Sequence, residues 1–172
     1  AGDLDAAVRR WESLATMMPG SPEPGMALGD LLFRAGHFER AEGYVSALVE
    51  KLQEVPDKDS VREIRSSAEL LYGAILLAQG KSGEGVARWV KSMEIDPNFA
   101  LANGSFISRS IWNGLVEDAK AAAKTEDQRK AAGLVGSLTR EETQAPAAVR
   151  PPQASKESPK KGGFSWFSRG KK

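Results

Sequence analysis

The feature that most constrains this chain is a glycine turn between two short amphipathic stretches, repeated along the sequence. In the clearest copy, Leu28, Leu31, Leu32 and Ala35 fall on one helical face, and Phe38, Ala41, Val45, Leu48 and Leu52 fall on another. Spacings of three and four residues are the helical period, so each stretch predicts a helix with one apolar stripe. Gly36 stands between them, where a helix C-terminus needs a left-handed residue. Each helix is too short to persist alone in water, so the hairpin must stack on something. The sequence supplies further copies. Stepping back 34 residues from Gly36, Phe38, Ala41, Val45 and Leu48 gives Gly2, Leu4, Ala7, Trp11 and Leu14. Stepping forward 44 gives Gly80, Ser82, Gly85, Trp89 and Ser92, and 34 more gives Gly114, Val116, Ala119 and Ala123. A period of about 34 residues, with one insertion near Pro56, is the signature of a helical repeat array.

The landmarks Leu28, Gly29, Leu32, Gly36, Phe38, Ala41 and Val45 resemble the tetratricopeptide repeat, as do Gly80, Trp89 and the run Asp96, Pro97, Asn98. The resemblance covers roughly Gly2 to Ala123. It departs from the family at Gly25, where a Trp is frequent, and at Ser82, where an aromatic is usual. It implies an all-α fold, a right-handed superhelical array of antiparallel helix pairs with a concave ligand-binding groove.

Read in order, the chain opens with a helix from about Asp3 to Met17, equivalent to the second member of a pair. Its stripe of Leu4, Val8, Trp11 and Leu14 lacks a preceding partner, so the expectation is the C-terminal part of a longer repeat protein. Pro19, Pro22 and Pro24 then bracket a turn. After the clearest hairpin, Pro56 to Asp59 forms a loop, and Ser60 with Glu63 predicts a capping-box start. The helix from there to Gln79 is apolar nearly all round, which implies burial on several sides. Ser82 to Ile95 is its partner. A further helix is expected over Asn98 to Trp112, a turn at Asn113 and Gly114, and a last short helix capped by Thr125 with Gln128. The array is expected to occupy residues 1–138. Residues 139–172 are rich in Pro, Ser, Lys and Gln and predict a disordered tail.

Composition excludes several chemistries. There is no Cys and one His, His37, in an interhelical turn; the usual zinc ligand sets are therefore missing, and no catalytic histidine arrangement can form. The acidic pairs Asp57/Asp59, Glu117/Asp118, Glu126/Asp127 and Glu141/Glu142 read as solvated surface charge, and Gly80 to Gly83 lacks the spacing of a phosphate-binding loop. No enzyme activity, metal or cofactor is expected. The net charge of +1 conceals an asymmetry: residues 146–172 carry seven basic side chains against one acidic, leaving the remainder acidic.

By the resemblance, the first helix of each pair lines the groove. The matching residues are Met26, Asp30, Phe33 and Arg34, then Leu70, Ala74 and Leu77, then Leu101, Ser108 and Trp112. Asp30 and Ala74 stand where some family members use Asn to grip a terminal carboxylate. The groove expected here suits a protein partner presenting an apolar peptide or amphipathic helix. The tail ends in Lys160, Lys161, Phe164, Trp166, Phe167 and Arg169, an aromatic-basic cluster open to inert, partner-docking or weak membrane-surface readings. Nucleic acid is disfavoured because the acidic body would repel its backbone. The expected function is a non-enzymatic adaptor or scaffold that helps assemble or localise a complex. The alternative is a regulatory repeat segment of a larger enzyme or of a membrane-associated assembly factor. The location expected is cytoplasmic, peripheral at a membrane if the tail docks there.

Overall fold

The computed structural model describes residues 2–56, 58–96 and 109–141, with side chains omitted for residues 2, 109–112 and 138–141. Among the described residues there are seven helices and no strand: α1 (Gly2–Met17), α2 (Glu23–Arg34), α3 (Phe38–Gln53), α4 (Asp59–Ala78), α5 (Ser82–Ile95), α6 (Arg109–Ala122) and α7 (Glu126–Glu141). Helices α1 to α5 each pack on the next in sequence, and α6 packs on α5 and α7. Contacts of α2 with α4 and of α4 with α6 form one layer, and α5 with α7 belongs to the other.

The two central pairs are built alike, down to single hydrogen bonds. Gly36 and Gly80 both have positive φ, 79° and 78°. The His37 N–H donates to the Leu32 carbonyl at 2.9 Å, and the Lys81 N–H donates to the Leu76 carbonyl at 2.9 Å. This is the six-to-one bond of the Schellman motif, which closes a helix and turns the chain back. Inside each pair a glycine lets the helices approach. A Cβ on Gly29 would lie 2.2 Å from Val45 Cγ2, and one on Gly73 would lie 2.4 Å from Trp89 Cδ1. Trp89 is fully enclosed, and its indole N–H donates to the Leu70 carbonyl at 3.1 Å. The repeat equivalence of Val45 with Trp89, and of Ala41 with Gly85, is therefore an equivalence of packing: all four are buried.

At the third equivalent position, Leu48 is apolar while Ser92 is polar, and the structure shows why the hydroxyl is tolerated. Ser92 donates to the Ser66 carbonyl at 2.7 Å, Ser66 donates to the Ser92 carbonyl at 3.1 Å, and the two hydroxyls lie 2.9 Å apart. This reciprocal pair satisfies the buried groups and pins α4 to α5. Side chains on α4 are enclosed on nearly all sides, from Ala68 through Leu71, Gly73, Ile75 and Leu77, as its continuous apolar pattern requires. Trp11 is only half-buried against the core, on the end helix α1.

Three expectations change. Asn113 and Gly114 make no turn: both lie inside α6, exposed, while Leu115, Val116 and Ala119 carry the buried stripe past them. An exposed Gly costs a helix only about 1 kcal/mol relative to Ala, which burial of that stripe outweighs. The helix expected over Asn98 to Trp112 lies outside the described residues up to 108, and 109–112 belong to α6. Ser60 caps nothing: α4 starts at Asp59 after the extended residue Lys58, with no side-chain cap. The Thr125 box does form. Thr125 Oγ1 accepts from the Gln128 N–H at 3.2 Å, and Gln128 Oε1 accepts from the N–H groups of Thr125 and Lys124 at 3.2 and 2.7 Å. The helix it starts is not short; it runs to Glu141. The tail that follows lies outside the described residues.

Candidate partner-binding face

Helix α2 begins within a proline-rich turn, with Pro22 at the N-cap and Pro24 buried in the first helical turn. It packs Leu28, Gly29 and Leu32 inward, which leaves Met26, Asp30 and Arg34, spaced by four, along one stripe. Met26 is half-buried against the core. The Arg34 side chain is 51% exposed and lies over Asp30, with 2.6 Å between its nitrogen and Asp30 Oδ2. The Asp30 side chain beneath it is only 9% exposed. Its second oxygen, Oδ1, is the one buried side-chain polar atom among the described residues with no hydrogen-bond partner. Burial pushes the Asp30 carboxyl above its ordinary value, with Arg34 working in the opposite direction. A buried acceptor left unmade costs about 1–3 kcal/mol.

The other expected groove residues sit deeper. Phe33 is 1% exposed, its ring tilted against Phe38 with centroids 5.6 Å apart. Leu70, Ala74 and Leu77 are buried in α4. Of the expected groove residues on α2, Arg34 is thus exposed and Met26 half-buried, with Asp30 just below, whereas Phe33, Leu70, Ala74 and Leu77 are core side chains. Leu101 and Ser108 lie outside the described residues, as does the Trp112 side chain, although the Trp112 backbone is in α6. Lys160, Lys161, Phe164, Trp166, Phe167 and Arg169 also lie outside them.

The structure adds a charged cluster that the apolar pattern conceals. Glu69, within the apolar run of α4, keeps a side chain only 3% exposed between Arg88 at 3.1 Å and Lys91 at 2.9 Å. Arg88 also stacks on Tyr72, 4.4 Å from the ring centroid. A Glu three turns into an apolar helix, with Arg and Lys at matching heights on the partner helix, was the only sequence signal. Next to it, Arg65 donates to the Leu52 carbonyl at 2.8 Å and to the Val55 carbonyl, satisfying the end of α3. The pocket between these groups, bounded by Val49, Gln53 and Ile95, holds about 40 Å³. That is far below the few hundred Å³ of a small-molecule site. The cluster joins helices. A second such link is Glu42, whose carboxylate accepts from Gln79 at 2.9 Å and pairs with Lys81 at 3.0 Å. Hydrogen bonds from Lys81 and Gln79 hold the Glu42 carboxyl below its usual value.

Among the described residues no group of His, Cys, Asp and Glu could hold a metal ion, and no helix is long and apolar enough to cross a membrane. Stacked antiparallel helix pairs joined by Schellman turns, with first helices side by side, define the class: a helical repeat solenoid. A sequence profile described as tetratricopeptide repeat matches residues 1–61, which span α1 to the start of α4. Over those residues the chain is similar to tetratricopeptide repeats, and repeats of that family generally mediate protein–protein interaction. Family members are typically non-enzymatic interaction modules. No curated protein and no solved structure matches the chain significantly.

Proposed function

We propose that this protein is a non-enzymatic adaptor that binds a partner's peptide or amphipathic helix along the face formed by its first helices, and so helps assemble or localise a complex. The observation that carries this reading is the α2 stripe. Met26 offers apolar area, Arg34 an exposed cation, and Asp30 an acceptor that the fold leaves unpaired. A bound segment would satisfy that acceptor and cover the apolar side chain, with Phe33, Leu70, Ala74 and Leu77 as the rigid floor. The groove extends in this reading to Leu101, Ser108 and Trp112.

The test is site-specific cross-linking in the source cell. A photo-reactive amino acid replaces Met26 in one variant and the exposed Ala87 of α5 in another. Discrete protein adducts from position 26 and none from 87 support the reading. Adducts from 87 alone, or equally from both, overturn it.

A further inference from the structure

We propose that the chain's own C-terminal segment, Lys156 to Lys172, docks in cis on the α2 face, with one of its cations bonded to Asp30 Oδ1. The inference deepens the proposed function and rests on it: the groove that takes a partner is held by the tail until the partner displaces it. Three observations converge on this occupant. The first is the vacancy in bonding at Asp30. A buried carboxylate oxygen without a donor calls for an N–H group, and a cationic donor answers both the missing bond and the buried charge. Arg34 already meets the other oxygen from an exposed position; an incoming cation can share the carboxylate or replace it.

The second is complementarity. Residues 146–172 carry seven basic side chains against one acidic, and the rest of the chain is net acidic. The cations Lys160, Lys161, Arg169, Lys171 and Lys172 surround Phe164, Trp166 and Phe167. A cation on Asp30 places a neighbouring aromatic within reach of half-buried Met26, whose thioether packs well against rings. The third is reach. Helix α7 ends at Glu141, and residues 142–172 span up to roughly 100 Å when extended. Helix layers stack at about 8–10 Å, so the way from α7 back to α2 is roughly 30 Å.

The absence of Cys from the sequence allows a clean experiment on the full chain. Ser168→Cys carries a nitroxide label, and the amide resonances of the ¹⁵N-labelled protein report its proximity. The expected result is a several-fold loss of intensity confined to α2 around residues 26–34 and the adjoining face of α4. Asp30→Asn, which keeps shape and removes charge, should restore most of it. A second variant with Lys160, Lys161, Arg169, Lys171 and Lys172 changed to Gln should restore it without touching any helix. Uniform broadening over all helices, broadening confined elsewhere, or a loss indifferent to both variants overturns the proposal. Mixing spin-labelled ¹⁴N chains with unlabelled ¹⁵N chains separates the sources: broadening in the mixture at the same strength means a second copy supplies the tail, which also overturns docking in cis. Cross-links from position 26 together with no α2 broadening would leave the partner groove standing and remove the tail from it.

Discussion

At the scale of single residues, the molecule places charge where its apolar pattern gives no warning, and each instance has a measurable sign. Glu69 is enclosed while its partners Arg88 and Lys91 are about a third and two-fifths exposed. Removing the cations strands a buried carboxylate; removing the carboxylate's charge leaves two cations that can turn to water. Arg88→Met with Lys91→Met should therefore cost about 3–5 kcal/mol, and Glu69→Gln only about 1 kcal/mol, in urea denaturation. Equal costs would show that the cluster is solvated. Glu42 and Asp30 should respond to pH in opposite senses. The carboxyl of Glu42 is held low by Lys81 and Gln79, so its contribution is present above its unfolded pKa and is lost as pH falls through the folded one. For Asp30 the folded pKa is raised by burial, so its contribution is full below the unfolded pKa and is lost as pH rises through the folded one. Glu42→Gln should thus be costly near neutrality and neutral in acid. Asp30→Asn should be most favourable near neutrality and lose that advantage in acid. Urea midpoints taken across the acid range check both, and parallel profiles for the two variants would contradict the assignment.

At the scale of elements, the glycines divide into two kinds that one substitution separates. Gly36 and Gly80 adopt positive φ in Schellman turns, where a Cβ is strained even though nothing crowds it. Gly114 lies exposed within α6, again with nothing near a built Cβ. Gly36→Ala should destabilise by about 1–2 kcal/mol and Gly114→Ala should stabilise by about 0.5–1 kcal/mol. A destabilising Gly114→Ala, read from thermal or urea melts, would restore the turn that the sequence suggested there. The repeat offset alone could not distinguish the cases. It aligned Gly114 with the two turn glycines, but the apolar stripe of Leu115, Val116 and Ala119 overrides a single helix-weak residue. The central hairpins were legible because their spacing, glycines and bulky positions all agreed, and Val45 and Trp89 both came out enclosed. The Thr125 box was legible because its chemistry is local, whereas the Ser60 box failed because the N-cap of α4 is Lys58, two residues earlier. The side chains that the sequence assigned to the groove lie at different depths. Sequence reading put Phe33 and Arg34 on it together, yet neighbouring residues of an α-helix point about 100° apart, and Phe33 is buried against Phe38 while Arg34 is exposed.

At the scale of the whole molecule, stability should be graded along the stack. Among the described residues, nearly all the large, fully enclosed side chains belong to α2 through α5: Phe33, Leu28, Leu32, Val45, Ile75, Leu76, Val86 and Trp89, with Val135 beyond α5. The inter-helix polar links also concentrate there, in the Ser66–Ser92 pair, the Glu69 cluster and the Glu42 bridge. By contrast α1 has one buried apolar residue, Val8, and ends in exposed Met17, with exposed Met18 following it. A linear array gains its stability from interfaces between neighbours, so helices with fewer buried contacts open at lower free energy than the middle. Native-state hydrogen exchange should therefore show its slowest amides in α4 and α5, intermediate rates in α2 and α3, and its fastest helical amides in α1 and α7. Trp89→Ala removes the side chain that fills the Gly73 gap and bonds Leu70, at a cost of about 3–5 kcal/mol. In that variant α4 and α5 should lose most of their protection and approach the rates of the ends. Equal protection across all seven helices before the substitution would mean that the array unfolds as one unit, and that its repeats share stability instead of holding it in place.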